Sequence, residues 1–153
     1  MVTVNVPTRP DRAARTDTTA PLGLLVLRAQ ELRPVCEFYS ALGLHFVREQ
    51  HGNGPVHYAA TLGTSVLEIY PLRLGEPIPD GGMRLGFSVP SLEAAVIALC
   101  AARGSLQQAP WTTNGERHAL LEGPEGHSVE IIERAHPQAL SAAGTRATMG
   151  RPG

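Results

Sequence analysis

From Leu22 onward the hydrophobic positions of this chain change rhythm several times, and each change marks an element. Leu22 to Arg28 is a short apolar run that stops before Gln30-Glu31, which predicts a buried strand. Glu31 to Leu42 then moves to helical spacing: Leu32, Val35, Phe38, Tyr39 and Leu42 share a stripe, Pro34 lies in the first turn where it is tolerated, and Gly43 supplies the stop. Three short strands follow, Leu44 to Glu49, Val56 to Thr61 and Ser65 to Pro71, divided by turn-forming clusters. Leu72 to Gly82, with two prolines and three glycines, reads as a linker. The order then recurs. Met83 to Val89 alternates as a strand, Ser91 caps a second helix lined by Leu92, Ala95, Val96 and Leu99, and Gly104 ends it. Strands at Leu106 to Ala109, Glu116 to Glu122 and Ser128 to Glu133 complete the second half, the last one entered through the Gly123-Pro124-Glu125-Gly126 turn.

The halves are one βαβββ unit written twice, offset by about sixty residues: Leu32 answers to Leu92, Gly43 to Gly104 and Glu68 to Glu130. Such self-similarity predicts an α+β fold of two βαβββ modules, residues 22–72 and 83–134, whose curved mixed sheets surround a cleft. The domain spans 21–134. Residues 1–20 and 135–153 lack a lasting period and are expected to be flexible tails; the arginines near the N-terminus allow a basic arm, which Asp11 and Asp17 dilute.

Composition narrows the partners. With 153 residues, 42% hydrophobic and 18% charged, the chain can bury a core without staples. Thirteen basic against fourteen acidic side chains leave no electrostatic footprint for nucleic acid or an anionic membrane, so the expected partner is a small molecule. No apolar run approaches a membrane span or a secretion signal, and Cys36 and Cys100 lie far apart within predicted helices, which fits reduced thiols and a cytoplasmic protein.

Three segments together carry a resemblance. LLVLRAQELRPVCEFYSALGL, SVLEIYPL and ALLEGPEGHSVEIIER are similar to the glyoxalase, bleomycin-resistance and extradiol-dioxygenase superfamily, the vicinal oxygen chelate fold, over about Leu22 to Arg134. The resemblance implies a divalent metal held by a His or Gln on the first strand of each half and a Glu on the last. Glu68 and Glu130 fill the two last-strand positions, but Leu24 and Arg84 stand at the first-strand ones. Leu has no ligand atom and a guanidinium no lone pair to give. The expectation is therefore no metal at the usual site, with Arg84 serving as the cation for Glu130, Glu68 or both; the alternative role for that set is a purely structural ion pair. A divalent metal, if present, would fall to Glu68, Glu130 and His57. By resemblance alone the chain is also expected to form a homodimer.

Other polar residues bear on the cleft. Glu130 lies on a strand face with Ser128 and Ile132, and a carboxylate among apolar neighbours is costly unless partnered. A hairpin at Leu62-Gly63-Thr64 puts His57 and Ala59 on the face of Glu68 and Tyr70, making His57 a candidate base or ligand and Tyr70 a wall of the site, each with a packing alternative. Arg117, Ala119 and Leu121 are expected to alternate on the strand paired with Ser128 to Ile132, bringing Arg117 to the mouth of the cleft or leaving it solvated. Trp111, ahead of Thr112-Thr113-Asn114-Gly115, is expected on a loop that can lie over the pocket. His51, His118 and His127 lack a metal-ligand spacing and carry no assignment. Three functions follow: a metal-free small-molecule binding protein of the glyoxalase/bleomycin-resistance type; a metal-dependent lyase, isomerase or dioxygenase with an unorthodox site; and a metal-free enzyme in which Glu68 or Glu130 is the base and Arg84 steadies an oxyanion.

Overall fold

A computed structural model describes residues 20–77 and 82–134; both expected tails and the middle of the linker lie outside the described residues, save for Ala20. The first module runs β1 (Leu24–Ala29), α1 (Leu32–Ser40), β2 (Val47–Glu49), β3 (His57–Leu62) and β4 (Ser65–Pro71). The second runs β5 (Arg84–Val89), α2 (Leu92–Ala101), β6 (Ser105–Thr113), β7 (Glu116–Glu122) and β8 (Ser128–Arg134), with a 3-10 turn at Pro124–Gly126 before β8. Each module makes one four-stranded mixed sheet, in the orders β1-β4-β3-β2 and β5-β8-β7-β6. The first strand of each pairs in parallel with the last, because the helix carries the chain back across one face; the remaining pairs are antiparallel. This is the α+β architecture of two βαβββ modules that the repeat predicts.

Period-2 alternation sorts the side chains. Leu67 and Ile69 on β4, and Val129 and Ile131 on β8, are fully buried beneath the helices, while Glu68 and Glu130 between them point to the other, helix-free face. Both modules feed a single core. The join is α1. Its Phe38 ring lies against Gly104 and Gly123 of the second module so closely that a Cβ at either glycine would stand 2.7–2.8 Å from it. Its Tyr39 packs 5.9 Å from Phe87 and 6.4 Å from His127, centroid to centroid. Gly104 is thus required for space rather than to stop the helix; the positive φ after α2 belongs to Arg103.

Two elements differ from expectation. β2 starts at Val47, not Leu44, since Leu44 turns into the core before the ladder begins. β6 is longer, reaching Thr113, because Asn114 and Gly115 take φ of 50° and 76° and close a two-residue turn that keeps Thr113 paired with Glu116. Trp111 therefore sits in a strand, paired with His118, and not on a lid loop.

Candidate functional site

The helix-free face of the first sheet is built by register. Glu49 pairs with His57, Val47 with Ala59, Ala59 with Glu68, and Val26 with Glu68, so these side chains share one surface. His57 is completely buried and stacked on Tyr70, with ring centroids 4.1 Å apart and planes 9° from parallel. Its Nδ1 lies 3.3 Å from the Pro55 carbonyl oxygen. A carbonyl only accepts, so that nitrogen carries a proton, and in the neutral ring Nε2 then presents its lone pair. Nε2 faces Glu49 Oε2 at 3.7 Å and Glu68 Oε1 at 3.9 Å, and has no hydrogen-bond partner. His51, in the loop after β2, brings its Nε2 to 3.5 Å from the same Glu49 oxygen.

The second sheet repeats the plan with different chemistry. Leu120 and Gly86 flank Glu130 across the sheet, and His118 sits two residues before Leu120 as His57 sits two before Ala59. His118 Nδ1 lies 2.9 Å from Glu130 Oε1, and its ring stacks on Trp111 at 5.2 Å. Arg84 donates to the other oxygen of Glu130 at 3.4 Å. Glu130 thus has a cation beside it, whereas among the described residues no arginine pairs with Glu49 or Glu68.

These placements alter the expected site. Arg84 reaches Glu130 but makes no ion pair with Glu68, and its side chain is 55% exposed, so it is a surface partner of one carboxylate and not a bridge between two. No hydrogen bond or ion pair among the described residues joins the His57–Glu68 group to the His118–Glu130 group. Arg117 lies on the opposite face: it pairs with Glu93 of α2 and stands 3.6 Å from Glu133, which lowers the Glu93 carboxyl and raises the guanidinium, in both cases chiefly through their mutual hydrogen bond. Register explains the inversion. Arg117, Ala119 and Leu121 pair with Glu133, Ile131 and Val129, all on the helix side. His118, Glu49 and His51 are the site-facing residues that the spacing of histidines alone did not single out.

A cavity of about 370 Å³ opens where the modules meet, between β1 and the β5–β8 edge. Val26, Leu27, Met83 and Leu85 give it apolar walls, with Arg28 and Glu76, 3.7 Å apart, among its polar residues. Tyr39 and His127 also line it, and neither the buried Tyr39 hydroxyl nor either ring nitrogen of His127 makes a hydrogen bond of normal geometry. Burial pushes the Tyr39 phenol up and the His127 imidazole below its ordinary value, so both are neutral groups at pH 7.

The sequence matches the family model for the glyoxalase/bleomycin resistance protein/dioxygenase superfamily over residues 22–131. The chain belongs to that superfamily. Its fold recurs in a glyoxalase/bleomycin resistance protein/dioxygenase family enzyme from Burkholderia phytofirmans PsJN, with 20% identity, 76% of this chain and 100% of that one covered, and a TM-score of 0.63. It recurs in the hypothetical protein SA1046 from S. aureus (17% identity, 76% and 95% covered, TM-score 0.62). TnmS3, an antibiotic binding protein from Streptomyces sp. CB03234, is a further neighbour (15% identity, 78% and 100% covered, TM-score 0.60). No curated protein matches the sequence significantly. Members of the superfamily often hold a divalent metal, but the residues at the usual positions do not fit one here. Leu24 is an aliphatic side chain 52% exposed, and Arg84 is a cation already donating to Glu130. No helix among the described residues is long and apolar enough to cross a membrane.

Proposed function

We propose that this chain is a small-molecule binding protein of the glyoxalase/bleomycin-resistance type, working without a metal at the superfamily's usual positions. The observation that carries the reading is the junction cavity, an apolar space of ligand size in which the Tyr39 hydroxyl is buried without a hydrogen-bond partner and the His127 imidazole has none of normal geometry. Buried polar groups are nearly always satisfied, so orphaned ones facing a cavity mark where a ligand brings its own donor and acceptor. The ligand class is an apolar compound with a hydroxyl or carbonyl group. That TnmS3 binds an antibiotic on the same fold agrees with this class without fixing it.

The catalytic readings have less support. A metal shared by Glu68, Glu130 and His57 needs the two carboxylates together, and they belong to separate groups within the chain. An acid/base enzyme with Arg84 steadying an oxyanion needs that guanidinium and a free carboxylate in one place, whereas Arg84 pairs with Glu130, itself engaged by His118, and makes no ion pair with Glu68. A homodimer belongs to the binding reading. Leu24, Val26 and Val47 leave apolar side chains exposed on the helix-free face of the first sheet, which a second copy can cover. A cytoplasmic location belongs to it too, on the strength of two unpaired cysteines.

The test is a thermal-shift screen of phenolic and polycyclic carbonyl compounds. A ligand at one hundred times its Kd raises stability by about 2.7 kcal/mol. Val26 is 38% exposed, so Val26→Trp should fold and fill the cavity mouth, abolishing the shift. Shifts that persist in Val26→Trp and in Tyr39→Phe would move the ligand elsewhere and end this assignment.

A further inference from the structure

The face around His57 raises a separate question. Two carboxylates, Glu49 and Glu68, converge on Nε2 of a completely buried imidazole, 3.7 and 3.9 Å away, with no arginine paired to either acid among the described residues. A lone pair facing two anions is repulsive, and repulsion at a buried site persists only where a cation offsets it. Glu130 has Arg84 for that purpose. The first module has no such residue.

The distances identify the kind of cation. At 3.7 and 3.9 Å they are too long for hydrogen bonds, which are already lost by about 3.6 Å. Donor atoms on a tetrahedral zinc ion, with bonds of about 2.0–2.1 Å, stand roughly 3.3–3.4 Å from one another. His51 Nε2 to Glu49 Oε2 is 3.5 Å, His57 Nε2 to the same oxygen is 3.7 Å, and one ligand atom from each of the three residues lies within 4.8 Å of the others. Two of the three edges are thus close to the tetrahedral spacing, and the third lies within 4.8 Å. Its second shell is also in place: the Nδ1–H of His57 donates to the Pro55 carbonyl, which fixes the tautomer that leaves Nε2 free, and Tyr70 holds the ring plane by stacking.

We propose that Glu49, His51 and His57 form a divalent-metal site of the zinc type, held within one module and distinct from the superfamily's usual positions on the first and last strands. Two imidazoles and one carboxylate make three protein ligands, the number that leaves a fourth coordination position. Glu68, 3.9 Å from His57 Nε2, is the nearest further carboxylate to that set. None of these residues lines the junction cavity, so the site stands or falls independently of the ligand reading above.

The experiment is a calorimetric titration of full-length, EDTA-treated protein with Zn²⁺, with Co²⁺ as a spectroscopic probe. One equivalent per chain is expected, with the visible bands of tetrahedral Co²⁺ and a rise in Tm on zinc addition. His51 lies in a loop with its side chain 72% exposed, so His51→Ala should fold; it and Glu49→Gln should each weaken zinc by roughly 100-fold or more. His118→Ala, in the other module, should leave binding unchanged. Absence of a stoichiometric ion would overturn the proposal. Binding that survives His51→Ala and Glu49→Gln, or that disappears in His118→Ala, would overturn it as well.

Discussion

Cys36 and Cys100 both lie in helices, yet their surroundings give them opposite chemistry. Cys36 is buried under α1, and burial, with a smaller contribution from the Glu37 charge, pushes its thiol up to about 11; Cys100 is exposed on α2. A maleimide at pH 8 should therefore label one thiol per native chain, none in Cys100→Ser, and two only after denaturant. Rapid labelling of Cys36 in the native protein would mean that α1 opens far more readily than its packing implies. The same contrast between what a residue is and what surrounds it governs the site. Glu68 and Glu130 were legible from the repeat, and Leu24 and Arg84 from the family resemblance, because each occupies a matched strand position. His118 was not, for a reason of one residue. Leu62 and Ser65 close the first hairpin around two residues, while Gly123, which donates to the His127 carbonyl, closes the second around three. His57 to His118 is therefore an offset of sixty-one where Glu68 to Glu130 is sixty-two, and a slip of one reverses which side chains face the cleft. Arg117 took the place in the expected site that belongs to His118. Glu49 and His51 were illegible for another reason: pairing of β2 to β3, not spacing along the chain, brings them to His57.

The additional residue in that hairpin has a use at the level of elements. Glu125 takes φ of 61° in the turn, and its carboxylate accepts from the backbone amides of Gln30 and Glu31, each at 2.6 Å. α1 has no side-chain cap of its own and no acid in its first turn, so the carboxylate that holds its N-cap residue, Glu31, and the residue before it comes from the other module. α2 is capped nearer home, by Ser91 and by Glu133, which accepts from the Leu92 amide at 2.6 Å. Ser91 is readable in sequence because an N-cap lies beside the helix it serves. The Glu125 cap is not, since it bridges nearly a hundred positions. Glu125→Ala should lower unfolding free energy by about 1–2 kcal/mol in urea, with an unchanged m-value. A neutral result would mean that water caps α1 equally well.

At the scale of the whole molecule, the cap and the core make the same connection. α1 belongs to the first module by sequence, but Phe38 fills a slot whose walls are Gly104 and Gly123, and Tyr39 reaches Phe87 and His127. Two modules with separate cores would melt separately; two that share one helix in a single core should melt together. Trp111, the only tryptophan, reports from β6 in the second module, so its fluorescence follows a part of the fold that Phe38 does not belong to. Phe38→Ala removes a fully buried ring, a loss of about 3–5 kcal/mol, and should shift the Trp111 transition as far as the far-UV circular dichroism transition. Gly123→Ala should have a smaller effect of the same kind, about 1–3 kcal/mol, because its Cβ would meet that ring at 2.8 Å. If Phe38→Ala leaves the Trp111 melt in place while helix signal is lost early, the modules are independent and α1 is no more than a neighbour to the second.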